Sequence, residues 1–403
     1  MKIYLVGGAV RDKLLGLPVK DRDWVVIGSS PEEMESLGYK PVGRDFPVFL
    51  HPQTHEEYAL ARTERKTGPG YKGFSFHTSA DVTLEQDLMR RDITINALAE
   101  DENGEIIDLY NGQNDLKSGI LRHISPAFIE DPLRVVRVSR FAARFNFTVA
   151  DETMELMKDL SESGELETLV PDRVWVDFEK ALDTHHPTQF FEVLRQCSAL
   201  KILFPEIDRL FGVPQPPKHH PEIDTGIHTM LVLSQACLLT DDLTVRFAAL
   251  VHDLGKGTTP KDKLPRHHGH EQRSVKLVKK LCDRYRVPNR YRELALIVAK
   301  EHQTCHKINE LRADTVAKKL ESIDAFRRPD RFEQYLKACE ADAKGRTGFE
   351  QADYSNAATF RKYYEAAKNI ETQSLIDSGL EGIELGNSIR KMRIKAIEAV
   401  KSA

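Results

Sequence analysis

Residues 2–28, KIYLVGGAVRDKLLGLPVKDRDWVVIG, constrain the chain most. The apolar run Ile3–Val6 predicts a strand that ends at Gly7-Gly8, where two residues without a Cβ let the backbone approach a ligand closely. Helix-compatible residues 9–15 follow, closed by Gly16 and Pro18. Asp21 and Asp23 open the second strand, and at period two they share a face. Two carboxylates on one face beyond a glycine turn suit a divalent cation and the phosphates it carries. A β-turn followed by strand-start aspartates would use the same letters, so this stretch by itself leaves both readings open.

At 403 residues the chain exceeds one ordinary core, which predicts two to four domains. With 40% hydrophobic and 30% charged residues it has a globular composition, and no apolar run reaches membrane-spanning length. The chain starts directly in a strand without a signal-peptide pattern, so a cytoplasmic enzyme is expected. Five scattered cysteines (197, 237, 282, 305 and 339) form no CxxC pair, which argues against a disulfide framework or a thiolate zinc site. The net charge of −4 means that a nucleic-acid partner must be held by local basic patches.

Up to about residue 120, short strands alternate with helical pieces. Residues 47–50 and 57–61 read as strands joined by a hairpin, and 105–109 as a further strand. Residues 64–78, ERKTGPGYKGFSFHT, lack periodicity and predict a loop, whereas 84–99 predict a helix. Beyond about Leu116 strand signals nearly vanish, and the proline-rich run 210–226 reads as the clearest linker. The fold class expected is an α/β head followed by an all-α body.

Four regions carry candidate chemistry. In DLMRRDITIN, 87–96, the adjacent Arg90, Arg91 and Asp92 cannot share one helix face, and Arg91 with Asn96 is the pair expected to reach inward. An arginine fork can hold a phosphate and an aspartate a ribose hydroxyl; a solvated, salt-bridged face is the alternative. In EDPLRVVRVSRF, 130–141, Asp131-Pro132 starts a helix on which Arg134, Arg137 and Arg140 form a row. Three guanidinium groups in a row need anions, either a polyphosphate or carboxylates of the head. Downstream, His228, His252-Asp253, His302 and His306 suit a transition metal that activates water, while the histidines of RHHGH, 266–270, could bind phosphate or metal or lie in a solvated loop, with the loop favoured. The C-terminal 387–401 helix has a stripe of Ile389, Met392, Ala396 and Val400 and a basic remainder, which fits either a docked terminal helix or RNA phosphates.

Taken together, GGAVRDKLLG with DRDW, RRDITINALA, DLYNG at 108–112 and EDPLRVVRVSRFAARF resemble the bacterial class II tRNA nucleotidyltransferases, the CCA-adding enzymes of the DNA polymerase β superfamily. HDLGKGTTP, RHHGHE and GRTGFE at 345–350 resemble the subgroup bearing an HD phosphohydrolase domain. The likeness covers residues 1 to about 350. It implies a polymerase β-like head with a mixed sheet (1–120), a helical neck (121–210), an HD-type helical domain (225–345) and a helical tail (346–403).

The same resemblance implies template-independent addition of CCA to the 3′ end of tRNA from CTP and ATP, with magnesium on Asp21 and Asp23. Gly8, Arg11, Arg91 and Asp92 would then contact the triphosphate and ribose, Asp131 and Arg134 the base edge, and Arg137 and Arg140 would complete the pocket. His228, His252, Asp253 and His302 would form the HD site, with a transition metal such as nickel. One departure stands out: Gln303 follows His302 where an aspartate is expected, so the last carboxylate of the HD site is missing there, and its phosphodiesterase activity is expected to be weak or absent. Three rivals remain: a poly(A) polymerase with the same head, an HD phosphohydrolase with a nucleotide-sensing head, and a non-catalytic tRNA-binding protein. No membrane partner is expected, and a homo-oligomer is left open.

Overall fold

In the computed structural model, residues 1–42, 48–66, 74–77, 79–377 and 379–402 are described. The chain divides into two compact units, Met1–Leu203 and Phe204–Ala403.

The first unit is built on a seven-stranded sheet. Its opening stretch folds as read: β1 (Lys2–Val6), the Gly7 turn at φ +70°, α1 (Gly8–Leu14) and β2 (Asp23–Ile27). Asp21 lies ahead of β2 rather than in it, so the two aspartates do not share a strand face. Then come α2 (Pro31–Ser36), β3 (Lys40–Val42), β4 (Val48–Leu50) and β5 (Glu57–Leu60), with β4 and β5 paired antiparallel as expected. The 64–78 segment departs from the expected loop, since β6 (Thr63–Lys66) and β7 (Phe74–His77) form a separate antiparallel hairpin; its centre, 67–73, is outside the described residues.

The predicted 84–99 helix also ends early. α3 spans only Leu84–Met89, and after a 3-10 turn at Thr94–Asn96 the chain enters β8 (Leu98–Glu100), which pairs with β1 and with β9 (Ile106–Asp108). The physical reason is local: the Asp92 carboxylate takes the Ile93 N–H at 3.0 Å, a donor that a continuing helix would need. Strand order is β3-β4-β5-β2-β1-β8-β9, parallel only between β2 and β5. One face packs Val6, Val25, Leu88, Ala97 and Ala99; the other packs Val26, Met34, Phe49, Tyr58 and Leu60.

Helices complete this unit: α4 (Gly112–Ser118), the two-residue strand β10 (Ile120–Leu121), α5 (Leu133–Phe145), β11 (Thr148–Val149) parallel to β10, α6 (Asp151–Glu162), α7 (Pro171–Leu182), α8 (Thr188–Gln196) and α9 (Leu200–Leu203). α5 buries Val135, Val138 and Ala142, packs on α7 and α8, and turns Arg137 to Asp92 of the head and Arg140 to Asp177 of α7.

The second unit is helical: α10 (Pro205–Asp208), α11 (Thr225–Leu239), α12 (Leu243–Val251), α13 (His270–Arg284), α14 (Asn289–His306), α15 (Ala313–Ser322), α16 (Pro329–Lys344), α17 (Ser355–Lys368), α18 (Gln373–Asp377) and α19 (Gly382–Ser402). The proline-rich 210–226 run is folded against this unit and is not a solvated linker. Pro214 bridges Asp224, and Gln215 is fully buried, accepting from the Lys256 ammonium at 2.9 Å. α19 packs on α15 and α17; of the predicted stripe, Ile389, Met392 and Ala396 are half-buried and Val400 is exposed, and Ile397, outside that stripe, is its one buried side chain among the described residues. Arg393 stacks 3.6 Å over the Phe326 ring and Arg390 pairs with Glu321, so two of the basic side chains serve docking. No helix among the described residues is long and apolar enough to cross a membrane.

Candidate active site and candidate metal centre

A cavity of about 620 Å³ in the first unit gathers the Gly7-Gly8 turn, Asp23 of β2, the 90–96 segment and the arginine side of α5. Nine arginines against four carboxylates line it, a concentration of positive charge that fits a polyanion. Gly8, Arg11, Arg91, Asp92, Asp131, Arg134, Arg137 and Arg140 all reach this wall, whereas Asp21 is exposed and not among the lining residues.

The glycines are required by close approach. A Cβ on Gly7 would lie 2.6 Å from Arg91 Nη1, at a φ of +70° that L side chains rarely adopt, and one on Gly8 would lie 3.4 Å from Arg11 Nη2.

Arg91 and Asn96 both line the cavity, and Asp92 is the deepest of the RRD triplet. It is 5% exposed, and Arg137 donates to its Oδ2 through Nε at 2.8 Å while Asn96 donates to Oδ1 at 2.9 Å. Burial alone would raise its pKa, but the Arg137 charge and the Asn96 bond hold it well below the usual carboxylate range. Asn96 in turn accepts from Arg11, which donates twice to Asp12 Oδ1, and Arg144 donates to Asp12 Oδ2 at 2.7 Å. One chain of bonds thus links Arg137, Asp92, Asn96, Arg11, Asp12 and Arg144 around the cavity. Arg140 donates to Asp177 at 2.6 Å, so two arginines of the α5 row pair with carboxylates while still lining the cavity.

Arg134 donates to Ala127 O at 2.8 Å and to Arg90 O at 2.5 Å, fixing the guanidinium in place. Asp131 takes the Leu133 N–H at 3.0 Å and lies 3.9 Å from Arg173. The sequence reading missed Asp12, Arg144, Arg173 and Asp177. Arg144 follows Arg140 by one turn and could have been added to the row; Asp177, on another helix, carried no such signal.

In the second unit His228, His252, Asp253 and His302 converge, all at most 2% exposed. Gln303 adds no carboxylate to the cluster, but Asp342 on α16, which the sequence reading did not single out, enters it. Its Oδ1 lies 3.1 Å from His228 Nε2 and 3.6 Å from His252 Nε2, and His306 Nε2 lies 2.7 Å from its Oδ2. Gln303 only lines the adjoining cavity of about 870 Å³. RHHGH is not a solvated loop either: His267 and His270 are buried, and His270 Nε2 lies 3.1 Å from Asp253 Oδ1.

Electrostatics match a cation site. His252 is raised to about 10: burial opposes its charge, but Asp253 and Asp342 outweigh burial. His302, in contrast, is pushed by burial to about 3 and stays neutral. Asp253 and Asp342 are held well below their ordinary range; burial works against this, and the Lys256 ammonium with His252 offsets it at Asp253, His252 with His306 at Asp342. His252 Nε2 and Asp253 Oδ1 are buried without a hydrogen-bond partner, and such atoms call for a ligand. Imidazole nitrogens with carboxylates fit a divalent transition metal.

Comparison with known proteins agrees with this layout. Residues 3–122 match the poly A polymerase head domain, 146–211 the probable RNA and SrmB-binding site of polymerase A, and 225–328 the HD domain. Among solved structures, the chain aligns with the Thermotoga maritima CCA-adding enzyme complexed with tRNA (TM-score 0.65, 22% identity, 99% of this chain and 87% of that one). It aligns likewise with the Bacillus stearothermophilus CCA-adding enzyme in complex with CTP (TM-score 0.63, 21% identity, 99% and 89%). At these identities the likeness is one of fold. Sequence reaches further, since a multifunctional CCA protein of Thioalkalivibrio sulfidiphilus (strain HL-EbGR7) is 60% identical over 405 residues, covering 100% of this chain and 99% of the relative. Identity at that level along the whole length means that the chain belongs to the multifunctional CCA protein family.

Proposed function

We propose that this chain adds CCA to the 3′ end of tRNA from CTP and ATP without a nucleic-acid template. The observation that carries the reading is the arginine-lined cavity closed by the Gly7-Gly8 turn and bordered by Asp23. Asp23, with Asp21 beside it in sequence, would hold magnesium, a cation suited to carboxylates that leave most of its shell to water and phosphate. Bound there, the ion would favour ionisation of the attacking 3′-hydroxyl and neutralise the phosphate it attacks.

The protein's own groups do the positioning. Arg11, Arg91, Arg137 and Arg140 supply the charge that orients the triphosphate; Asp92 and Asn96 keep Arg137 and Arg11 aimed into the cavity. Asp131 and Arg134 supply acceptor and donors for the edge of cytosine or adenine, and Arg134 is already fixed by two carbonyls. The division into head (1–120), neck (121–210), HD domain (225–345) and tail (346–403) goes with this reading and is supported by the spans of the three matched families. So does a cytoplasmic location, given the substrates named.

Incubation with tRNA lacking its 3′ CCA, CTP and ATP, followed by product sequencing, tests the proposal. Addition of CCA supports it; an adenosine run, or no extension, overturns it. The helical unit supports a second reading, hydrolysis of phosphomonoesters or 2′,3′-cyclic phosphodiesters with a transition metal such as nickel, because Asp342 restores the carboxylate that Gln303 lacks. Nickel-dependent hydrolysis of a 2′,3′-cyclic nucleotide should fall at least tenfold in Asp342→Asn while CCA addition is unchanged; equal hydrolysis in the variant would reject this reading.

A further inference from the structure

We infer that Phe141 and Phe145 are positioning residues of the head's nucleotide site, whose ring faces hold the guanidinium groups of Arg11, Arg140 and Arg144 ready for a triphosphate without neutralising them. The inference rests on the nucleotidyltransferase reading of the head and adds to it two side chains that carry no charge.

On α5, Arg137, Phe141 and Phe145 follow one another at spacings of four, and Arg140 and Arg144 form the adjoining row, so cations and rings share one side of the helix. The two rings are nearly parallel, inclined by 7° with their centres 6.1 Å apart. Guanidinium groups cover them. Arg140 Cζ stands 4.2 Å and Arg137 Cζ 5.8 Å from the centre of the Phe141 ring, and Arg144 Cζ stands 4.9 Å from that of Phe145. Arg11, which comes from α1, reaches both rings, at 5.3 Å from Phe141 and 4.9 Å from Phe145. All four arginines line the cavity, and Phe141 lines it with them.

Carboxylates alone do not balance this group. Arg11 and Arg144 share Asp12, Arg137 holds Asp92 and Arg140 holds Asp177, so four cations meet three anions. Burial also opposes the charge on Arg11 and on Arg140, drawing both below the ordinary arginine value. A fourth carboxylate would even the count but would repel a triphosphate. An aromatic ring presents a negative face and no net charge. It takes a guanidinium group by its flat side, which leaves the in-plane N–H donors for carboxylates and phosphate oxygens. Aliphatic residues at 141 and 145 would bury apolar area but offer no such face, and repulsion among the four cations would then displace the least restrained of them. Arg144, with its side chain 37% exposed, is that one, and Arg11 is tied to it through Asp12.

Inorganic tripolyphosphate, titrated calorimetrically into the full chain in the presence of a chelator and displaced by CTP, reads this array apart from base recognition and catalysis. In Phe145→Leu the Kd should rise about fivefold or more, whereas Phe145→Tyr, which keeps the ring, should stay within about twofold of the wild type. Steady-state extension should show the matching split in Phe145→Leu, with KM for CTP and for ATP rising together and kcat held within about twofold. Fluorescence-monitored urea unfolding establishes that each variant is folded, and Phe145→Met stands in should Phe145→Leu not fold. Unchanged tripolyphosphate affinity in the folded Phe145→Leu or Phe145→Met protein overturns the inference, as does an equal loss in Phe145→Tyr or a wild type that binds no tripolyphosphate. A wild type that binds it, with the expected contrast between the two variants, but adds no CCA would refute the nucleotidyltransferase reading and leave the ring-held array standing.

Discussion

Replacing Asp92 with asparagine isolates the bond chain that organises the head. Asparagine keeps an oxygen for the Ile93 N–H and the Asn96 amide but turns an NH₂ group toward Arg137, so both the Nε and Nη2 contacts, each 2.8 Å, are lost. Removing one member of a buried pair costs about 3–5 kcal/mol. The Arg137 side chain is 38% exposed, so water compensates part of that, and a loss of about 2–3 kcal/mol is expected. With a urea m-value of about 2–3 kcal/mol/M, the midpoint should drop by roughly 1 M. The assay is unusually clean, because the two tryptophans, Trp24 and Trp175, both lie in the first unit, so intrinsic fluorescence follows that unit alone while circular dichroism sees both. A fluorescence midpoint within about 0.2 M of the wild type would refute the claim that the Asp92–Arg137 pair is a stabilising part of the head. The same variant should raise the KM for CTP, since Arg137 loses the group that aims it.

Three further outcomes follow from named contacts. Gly7→Ala, with its Cβ 2.6 Å from Arg91 Nη1 at φ +70°, should displace Arg91 and lower kcat/KM for CTP by about tenfold or more, read by steady-state incorporation; a wild-type value would contradict the close-approach argument. Asp87 and Asp92 are both held below the ordinary range against burial, by Arg90 with Arg91 and by Arg137 respectively. Their stabilisation is therefore complete above the unfolded value of about 4 and is lost as pH falls through the lower native values; fluorescence-monitored stability should decline below about pH 5, less steeply in Asp92→Asn. Ile397→Ala, removing the buried anchor of α19, should cost about 2–4 kcal/mol locally and speed amide exchange throughout α19; unchanged protection would place the docking energy in Arg390 and Arg393 instead.

Where local chemistry decides structure, the sequence was readable. The opening strand, glycine turn, helix and strand depend on neighbours within a few residues, as does the β4–β5 hairpin. Long-range demands explain the misses. Residues 93–99 contain residues that tolerate a helix, but β8 must sit between β1 and β9, and Asp92 diverts the chain into it. The proline-rich run looked like a linker because prolines break helices. What they do here is hold a tight loop that carries Gln215 to Lys256 and brings Glu222 within 3.0 Å of His228. Proline content reports that a helix stops; it does not report whether the segment beyond is solvated.

The candidate metal centre carries a second signal in the sequence. Judged by motif, Asp342 is invisible, forty residues beyond His302 and flanked by alanines. Judged by helical face, it follows Tyr335 and Cys339 at spacings of four and three, and both of those side chains are fully buried. A carboxylate on the apolar face of a helix requires a charged or hydrogen-bonding partner, since burial without one costs several kcal/mol. His270 carries the same signal: Ser274 and Val278 continue its face at spacings of four, and both are buried. The local polarity of RHHGH pointed to solvent, whereas the helix that begins at its last histidine turns that residue inward. A titratable residue that interrupts a buried stripe is therefore more informative here than the motif beside it. Applied to α13 and α16, that rule marks His270 and Asp342 as inward-facing polar groups that need partners.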